Sequence, residues 1–109
     1  MKVSIAVTLR DAVVLDSLRA QLLDTVEEVG SITAAARKLP VSYAHAWHLI
    51  RDLTLAIGQP LLESSSAGSR LTAAGREVLA LYRSIEQGAR HGSATPLSHL
   101  RNLVRKRGG

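Results

Sequence analysis

Two helical patterns meet at a proline between Ser31 and Leu53, and this break limits the possible folds more than any other feature of the sequence. Ser31 is a good N-cap and precedes an alanine-rich segment that favours helix. Pro40 ends that helix because it has no amide donor and disfavours the helical conformation at Leu39. The sequence therefore predicts a short helix followed at once by a tight turn.

A second, longer helix follows the turn. Ser42 is its expected N-cap, and Gly58 is the expected stop after a last helical residue near Ile57. A short helix, a tight turn and a longer helix are typical of a helix-turn-helix. In that motif the second helix lies in the major groove of DNA, and its early residues meet the base edges.

Successive residues of a helix are rotated by about 100°, so the side chains of the second helix divide between two faces. The side predicted to face the core carries Ala46, Leu49, Ile50, Leu53 and Ile57. The opposite side carries Ala44, His48, Arg51 and Leu55, with His45 and Asp52 on one flank. Arg51 can contact guanine in a bidentate manner, and either imidazole can donate or accept a hydrogen bond. Tyr43 and Trp47 are four residues apart and are predicted to stack, with Trp47 leaning toward the buried side.

Four blocks of the sequence resemble, in the same order, the N-terminal DNA-binding region of LysR-type regulators. They are GSITAAARKL, VSYAHAWHLIRDL, GQPLLE and RLTAAG. The SY-x-x-AW core is similar to that of the ModE-type regulators. The resemblance covers roughly residues 16–86 and implies a bacterial winged helix-turn-helix that dimerises on DNA. The expected fold is mainly α with a small β component, an N-terminal strand and a long C-terminal dimerisation helix.

A short hairpin is predicted after the second helix. Leu61–Glu63 and Ser69–Leu71 are the expected strands, and a serine-rich loop joins them. This hairpin would be the wing, whose hydroxyls and arginine suit phosphate or minor-groove contact. An ordinary hairpin with a flexible tip is the alternative. The DNA-binding residues predicted from both elements are Ser42, Tyr43, Ala44, His45, His48, Arg51, Ser65, Ser66 and Arg70.

The N-terminal segment alternates apolar and polar residues from Val3 to Leu9, which predicts a strand with one buried face. The dipeptide Arg10-Asp11 is expected to turn the chain toward a second short apolar piece. Asp16 then caps a helix, and Gly30 is its expected stop. This first helix should brace the helix-turn-helix from behind.

The last predicted helix begins after its cap Thr72 and runs to about Gln87. Part of its apolar stripe must cover the core, and the remainder is available to a second copy, unless the whole stripe is internal. The predicted dimerisation residues are Val78, Leu81, Tyr82 and Ile85. The expected division is a winged domain over 1–88, with the last helix at 72–87, and a flexible basic tail over 89–109. Within the tail, one or two helical turns are possible around Leu97 to Val104.

The net charge of +5 comes from that tail, because residues 1–88 hold nine basic and nine acidic side chains. A basic tail suggests phosphate contact, although a solvated terminus without function is the alternative. Cysteine is absent, which excludes disulfides and thiolate zinc sites. No apolar run reaches the ~20 residues of a membrane span, so a cytoplasmic protein is expected.

Three functions are compatible with these features. The first is a homodimeric, sequence-specific DNA-binding regulator without cofactor or metal. The second is an enzyme or metal protein, using His45, His48 and Asp52 with His91 or His99; no nucleophile–base pair supports it, and an enzyme is not expected. The third is a winged helix that contacts proteins instead of DNA.

Duplex DNA, a second copy of the chain and a separate effector-sensing protein are the expected partners. A membrane is not expected among them. Molybdate binding is not expected either, because the 23 residues after Glu86 are fewer than the ~40 that a small independent core needs. That segment also lacks an anion cradle of backbone donors.

Overall fold

The structure, a computed structural model, describes residues 2–39 and 41–108, with side chains described as far as residue 104. Pro40, on which the predicted helix break rests, lies outside the described residues. Five helices and two antiparallel hairpins make up the described part, in the order β1 Ala6–Leu9, β2 Ala12–Asp16, α1 Ser17–Val29, α2 Ile32–Lys38, α3 Tyr43–Ile57, β3 Leu62–Ser65, β4 Gly68–Leu71, α4 Ala73–Gly92 and α5 Ala94–Gly108.

The helix ends of the motif follow from local chemistry. Asp16, Ser31 and Ser42 each accept a hydrogen bond from the amide three residues further on, at 2.9–3.0 Å. Each of them satisfies one amide that the first helical turn leaves without a partner. Gly30 and Gly58 adopt the left-handed conformation, with φ of 85° and 79°, and end α1 and α3. The predicted boundaries of these helices are confirmed.

The helix-turn-helix has its own small core. Alanines on α2 and α3 let these helices approach α1 closely, and the aliphatic side chains of α1 and α3 fill the remaining space. The buried members are Leu22, Val26, Ala35, Ala36, Ala46, Leu49 and Ile50. Ile57 was predicted to belong to this face but is 37% exposed, because α3 extends past the core before it ends. The core fixes which face of α3 remains outside.

A second core joins α1, α4 and both hairpins. It contains Leu15, Ala20, Leu23, Leu53, Leu61, Leu71, Val78, Leu79 and Tyr82. In a chain without phenylalanine, Tyr82 is the one aromatic ring among these buried side chains. Its hydroxyl donates to the Ile5 carbonyl at 3.2 Å, so the N-terminal segment is joined to α4.

The wing is the β3–β4 hairpin, and α1 holds it in place. The Ser69 amide donates to the Gly30 carbonyl at 2.7 Å, and the Leu71 amide donates to the Glu27 carboxylate. Gly68 has φ of 114°, and a Cβ there would lie 2.8 Å from the Gly30 oxygen. Glycine is therefore required where the wing crosses the end of α1.

The N-terminal hairpin confirms the predicted turn and the second half of the predicted strand, because β1 begins at Ala6 and not at Val3. Arg10 and Asp11 form its two-residue loop, and both have positive φ, 53° and 67°, as a turn matched to the strand twist requires. Val3, Ile5 and Val7 are half-buried and alternate with exposed neighbours. Leu9 was predicted on the buried face but is 60% exposed, because the hairpin tip projects beyond the core.

The α4 helix begins at the predicted cap, Thr72, but continues to Gly92 instead of ending near Gln87. Two of the predicted dimerisation residues belong to the core, because Val78 is 9% exposed and Tyr82 2% exposed. Burial within the chain removes both from any surface that a second copy can touch. Leu81 and Ile85 are 56% and 52% exposed and remain available.

The segment predicted to be a flexible tail forms α5 instead. Ser93 ends α4 with its amide on the Ala89 carbonyl, and its own carbonyl accepts from the Leu97 amide. Serine, threonine and proline in this stretch suggested a loop, yet serine and threonine are also favoured N-caps and proline is accepted in the first turn of a helix. Thr95 and Pro96 lie there, so the same residues start α5.

Candidate nucleic-acid interface

The outer face of α3 consists of Ala44, His45, His48 and Arg51, and all four residues are exposed. The opposite side of the helix is buried through Ala46, Leu49, Ile50 and Leu53. The core therefore orients α3 so that a polar, partly cationic surface faces solvent along its first two and a half turns. This is the arrangement predicted from the helical wheel.

Four side chains on and beside this surface form a chain of contacts. The Arg51 guanidinium lies 5.3 Å from the centre of the Trp47 ring, and its Nη2 is 3.1 Å from Asp52 Oδ1. Trp47 meets His48 edge-on, with ring centres 5.2 Å apart. Trp47 is 41% exposed, so its predicted lean toward the buried side is wrong. Among the described residues its ring contact is with His48, not with Tyr43.

The contacts of Arg51 leave it able to change partner. An exposed ion pair such as Arg51–Asp52 contributes about 0–1 kcal/mol, because water screens both charges. A charge-assisted bidentate bond from arginine is stronger. The ring of Trp47 holds the guanidinium on the outer face, and release from Asp52 costs little free energy.

Ser42 and Tyr43 lie where α3 begins. The Ser42 hydroxyl accepts from the His45 amide at 3.0 Å, and its own proton remains available as a donor. Tyr43 is the first residue of α3 and is 53% exposed, so its phenol is accessible at the same end of the helix. This end of α3 therefore presents several hydrogen-bonding groups around the start of the outer face.

The wing presents hydroxyls and one arginine. Ser65 accepts from the Ala67 amide at 3.1 Å and so stabilises the tip, where Ser66 is exposed. Arg70 is exposed on β4, directly opposite Glu63 in the register. All predicted wing residues are thus at the surface. Ser65 has a structural role that the composition alone did not indicate.

A metal site is not formed at this surface. Among the described residues, no group of three or more histidine or carboxylate side chains is placed to hold a metal ion. Asp52, proposed as a ligand with His45 and His48, is engaged by Arg51. Within residues 2–39 and 41–108, no helix is long and apolar enough to cross a membrane.

The residues that position the wing were not found from the sequence. Glu27 lies in a charged pair with Glu28 and looks like an ordinary solvent-facing residue of α1. In the fold its carboxylate accepts from the Leu71 amide, a residue 44 positions away. No local pattern signals such a contact. Gly30 did carry a signal as a helix stop, but not as the acceptor for Ser69.

Residues 18–76, more than half of the chain, match the family model of the bacterial regulatory helix-turn-helix proteins of the LysR family. The chain belongs to this family. LysR-family helix-turn-helix proteins are transcriptional regulators and not enzymes. The predicted winged helix-turn-helix, with its small β component, is likewise confirmed.

Similar proteins include both LysR and ModE regulators. The chain is 35% identical over 77 residues to the molybdenum transport protein ModE of Azotobacter vinelandii, covering 66% of this chain and 28% of that protein. It is 30% identical over 95 residues to the transcriptional regulator ModE of Haemophilus influenzae, covering 83% and 37% respectively. The chain therefore spans about a third of the length of these relatives.

A solved LysR-family structure has the same fold. The DNA-binding domain of CbnR, in a complex with DNA, superposes with a TM-score of 0.62 and 32% sequence identity. The superposition covers 75% of this chain and 95% of the CbnR domain. A quarter of this LysR-family chain lies outside the superposition.

Proposed function

We propose that this chain binds duplex DNA in a sequence-specific manner, as the DNA-binding part of a bacterial transcriptional regulator of the LysR and ModE type. The observation that carries the proposal is the outer face of α3. It is uncovered, polar and partly cationic, while the rest of the helix-turn-helix is packed into a core. The CbnR domain, whose sequence is 32% identical to this chain, was solved in a complex with DNA, and this supports duplex DNA as the partner.

Arg51 is the proposed reader of one base pair. On approach to DNA its guanidinium leaves Asp52 and donates two hydrogen bonds to the O6 and N7 atoms of a guanine. His48 lies one turn earlier and contacts a neighbouring base edge, and Ala44 packs on a thymine methyl group. Tyr43, His45 and the Ser42 hydroxyl bind the backbone or the bases at the start of the helix.

The wing is proposed to bind the phosphate backbone beside the site that α3 reads. Ser65, Ser66 and Arg70 supply donors of the kind that contact phosphate or a narrow minor groove. The hydrogen bonds from β4 to Glu27 and Gly30 hold the wing relative to α1, and so relative to α3. These contacts position the protein without selecting a sequence.

The experiment selects bound sites from random duplex DNA and then measures variants on the best site. Arg51→Ala should relax the preference at one base pair and weaken binding by ~1–3 kcal/mol, with a smaller effect for His48→Ala. The control is Arg83→Ala, which removes an arginine paired with Asp24 on α1 and leaves α3 intact. If both α3 variants bind like the parent, α3 is not the reader.

We further propose that the chain acts as a homodimer that pairs through Leu81 and Ile85. Both side chains are more than half exposed on a helix whose other face is buried, and two-fold pairing doubles the DNA contacts on a palindromic site. Leu81→Glu should give monomers in sedimentation at micromolar concentration. Gln87→Glu adds the same charge on the opposite flank of α4 and should leave the dimer intact. A monomeric parent would contradict the proposal.

The proposed role includes no molybdate site within these 109 residues, although relatives are named for molybdenum transport. The last residues form the end of α4 and the exposed helix α5, which carry apolar and basic side chains. Titration calorimetry with molybdate tests this proposal, and a saturable micromolar site would refute it. A cytoplasmic location follows from the proposed role.

A further inference from the structure

The α5 helix carries an apolar stripe that nothing in the described structure covers. Leu100, Leu103 and Val104 are 49%, 58% and 50% exposed, and Leu97 is half-buried. Leu97, Leu100 and Val104 follow the i, i+3, i+7 spacing of one helical face. A 15-residue helix is only marginally stable alone, so a stripe of this kind is stabilised by a partner surface.

An apolar groove lies at the other end of the molecule. It is formed by Thr54, Leu55, Gly58, Gln59 and Pro60, at the junction of α3 with the chain that leads to the wing, and has a volume of about 250 Å³. Leu55 is 72% exposed there, the largest exposed fraction of the large apolar side chains described. The Thr72 hydroxyl donates to the Pro60 carbonyl at 2.7 Å, so the groove adjoins the first turn of α4.

The groove is beyond the reach of the α5 helix in the same chain. The 20 residues of α4 separate the two surfaces by about 30 Å, and α5 begins at the far end of that helix. The 15 residues of α5 extend only about 22 Å. The long axis of the molecule, 55 Å against 26 and 23 Å, reflects this projection of the last helices away from the body.

A second copy brings the two surfaces together. This step rests on the homodimer proposed above. In an antiparallel pair of α4 helices centred between Leu81 and Ile85, residue 94 of one copy is level with residue 72 of the other. The α5 helix of each copy then starts beside the partner's Thr72, next to the groove. We propose that α5 docks its stripe into the groove of the second copy, in a reciprocal exchange.

The distribution of charge also favours α5 of the second copy as the occupant of the groove. Residues 94–109 contain four basic residues and no acidic one. Glu63 and Glu77 are exposed and make no salt bridge among the described side chains. They lie on β3 and α4, the two elements that adjoin the groove. A basic helix docked there meets carboxylates, whereas two α5 helices packed together would bring like charges close.

The absence of cysteine makes a direct test possible. Chains carrying Leu55→Cys are mixed with chains carrying Leu100→Cys, allowed to exchange, and mildly oxidised. We expect a disulfide-linked dimer that contains one chain of each kind, identified by mass spectrometry. The control replaces Leu55→Cys with Gln21→Cys, an exposed position on α1, and should give at least tenfold less cross-linked product.

Several outcomes would overturn the docking. Absence of the mixed dimer would do so, and so would efficient cross-linking of Leu100→Cys chains to one another, which would show that the α5 helices pair together. The double variant Leu55→Cys/Leu100→Cys distinguishes the remaining geometries. An intrachain disulfide would mean that α5 folds back, and a ladder of larger products would mean an open, head-to-tail array.

A second measurement uses charge instead of cross-linking. Leu100→Glu should raise the dimer dissociation constant at least tenfold in sedimentation, while Asn102→Glu, on the opposite face of α5, should change it less than twofold. Both variants should select the same DNA sequence as the parent. A parent that binds no DNA would refute the proposed function alone, and equal dissociation constants for both variants would refute the docking alone.

Discussion

The two hairpins of this protein are similar in size but are held in different ways. The wing places Leu71 in the core and is in addition fixed by close backbone contacts, with Gly68 against the Gly30 carbonyl and Gly75 of α4 against the Leu61 carbonyl at its base. The N-terminal hairpin is held mainly by aliphatic packing, through buried Leu15 and half-buried Ile5, Val7 and Val14, and by the hydroxyl of Tyr82. Close backbone contact fixes position, whereas aliphatic contact mainly contributes stability. The close backbone contacts of the wing suit the precise placement that its proposed DNA contact needs.

The largest effect is expected at the base of the wing. A Cβ at Gly75 would overlap the Leu61 carbonyl oxygen, so Gly75→Ala must push β3 and α4 apart. We expect a loss of about 3 kcal/mol in the free energy of unfolding, measured in urea. A Cβ at Gly88 on the same helix would meet open space, so Gly88→Ala should raise the free energy of unfolding by ~0.5–1 kcal/mol. Equal effects of the two substitutions would show that close contact does not hold the wing.

The next effect is expected where the wing crosses α1. Gly68→Ala combines positive φ with a 2.8 Å approach to the Gly30 oxygen and should cost about 2 kcal/mol. It should also weaken DNA binding, because the tip moves relative to α3. Gly58→Ala has positive φ but open space and should cost about 1 kcal/mol. The difference in unfolding free energy between the two variants measures the cost of the close approach to the Gly30 oxygen.

A smaller effect is expected at the N-terminal hairpin. Tyr82→Phe removes the hydrogen bond to Ile5 and keeps the ring, so the loss should be about 1 kcal/mol, with DNA affinity unchanged. A drop in DNA affinity as large as that of Gly68→Ala would contradict the division between the hairpins.

The same tyrosine predicts a pH dependence. Burial, and then the Glu86 and Asp16 carboxylates, raises the pKa of the Tyr82 hydroxyl above its ordinary value of 10.0. The folded state therefore keeps the proton that the unfolded state loses. This contribution to stability is complete below pH 10.0 and is lost as the pH rises toward the higher folded-state pKa. Urea unfolding of the parent should show the decline, and Tyr82→Phe should lack that part of it.

The smallest effect is expected at the tip of the N-terminal hairpin. Leu9 is 60% exposed, so Leu9→Ser should change the free energy of unfolding by less than about 0.5 kcal/mol. Ile5→Ser is the matched comparison, because Ile5 packs against the core and should cost several times more. Similar costs at both positions would show that the tip is buried in solution.

The sequence was sufficient for features that depend on neighbouring residues. The caps Asp16, Ser31 and Ser42 and the stops Gly30 and Gly58 are set within one helical turn, and the hydrophobic period of α3 identified its exposed face. Features that depend on distant contacts were missed. The period of α4 could not show which part of its apolar stripe the N-terminal hairpin covers, so Tyr82 was assigned to the surface.

The full extent of α5 was missed for a different reason. Serine, threonine and proline occur both in loops and at helix starts, and the residues after them decide between the two. Within the site, the exposure of Arg51 and His48 followed from the wheel, but the contacts of Trp47 with them did not. A side chain at the boundary between two faces can turn either way, and only the surrounding packing decides.

The position of Trp47 gives this protein a built-in optical probe. It is the one tryptophan of the chain, and in the structure it is 41% exposed, under the Arg51 guanidinium and beside the His48 ring. Indole emission responds to the polarity and charge of such neighbours. Departure of Arg51 toward a base would change the emission without any label. Stopped-flow fluorescence can therefore time that movement separately from the arrival of the wing.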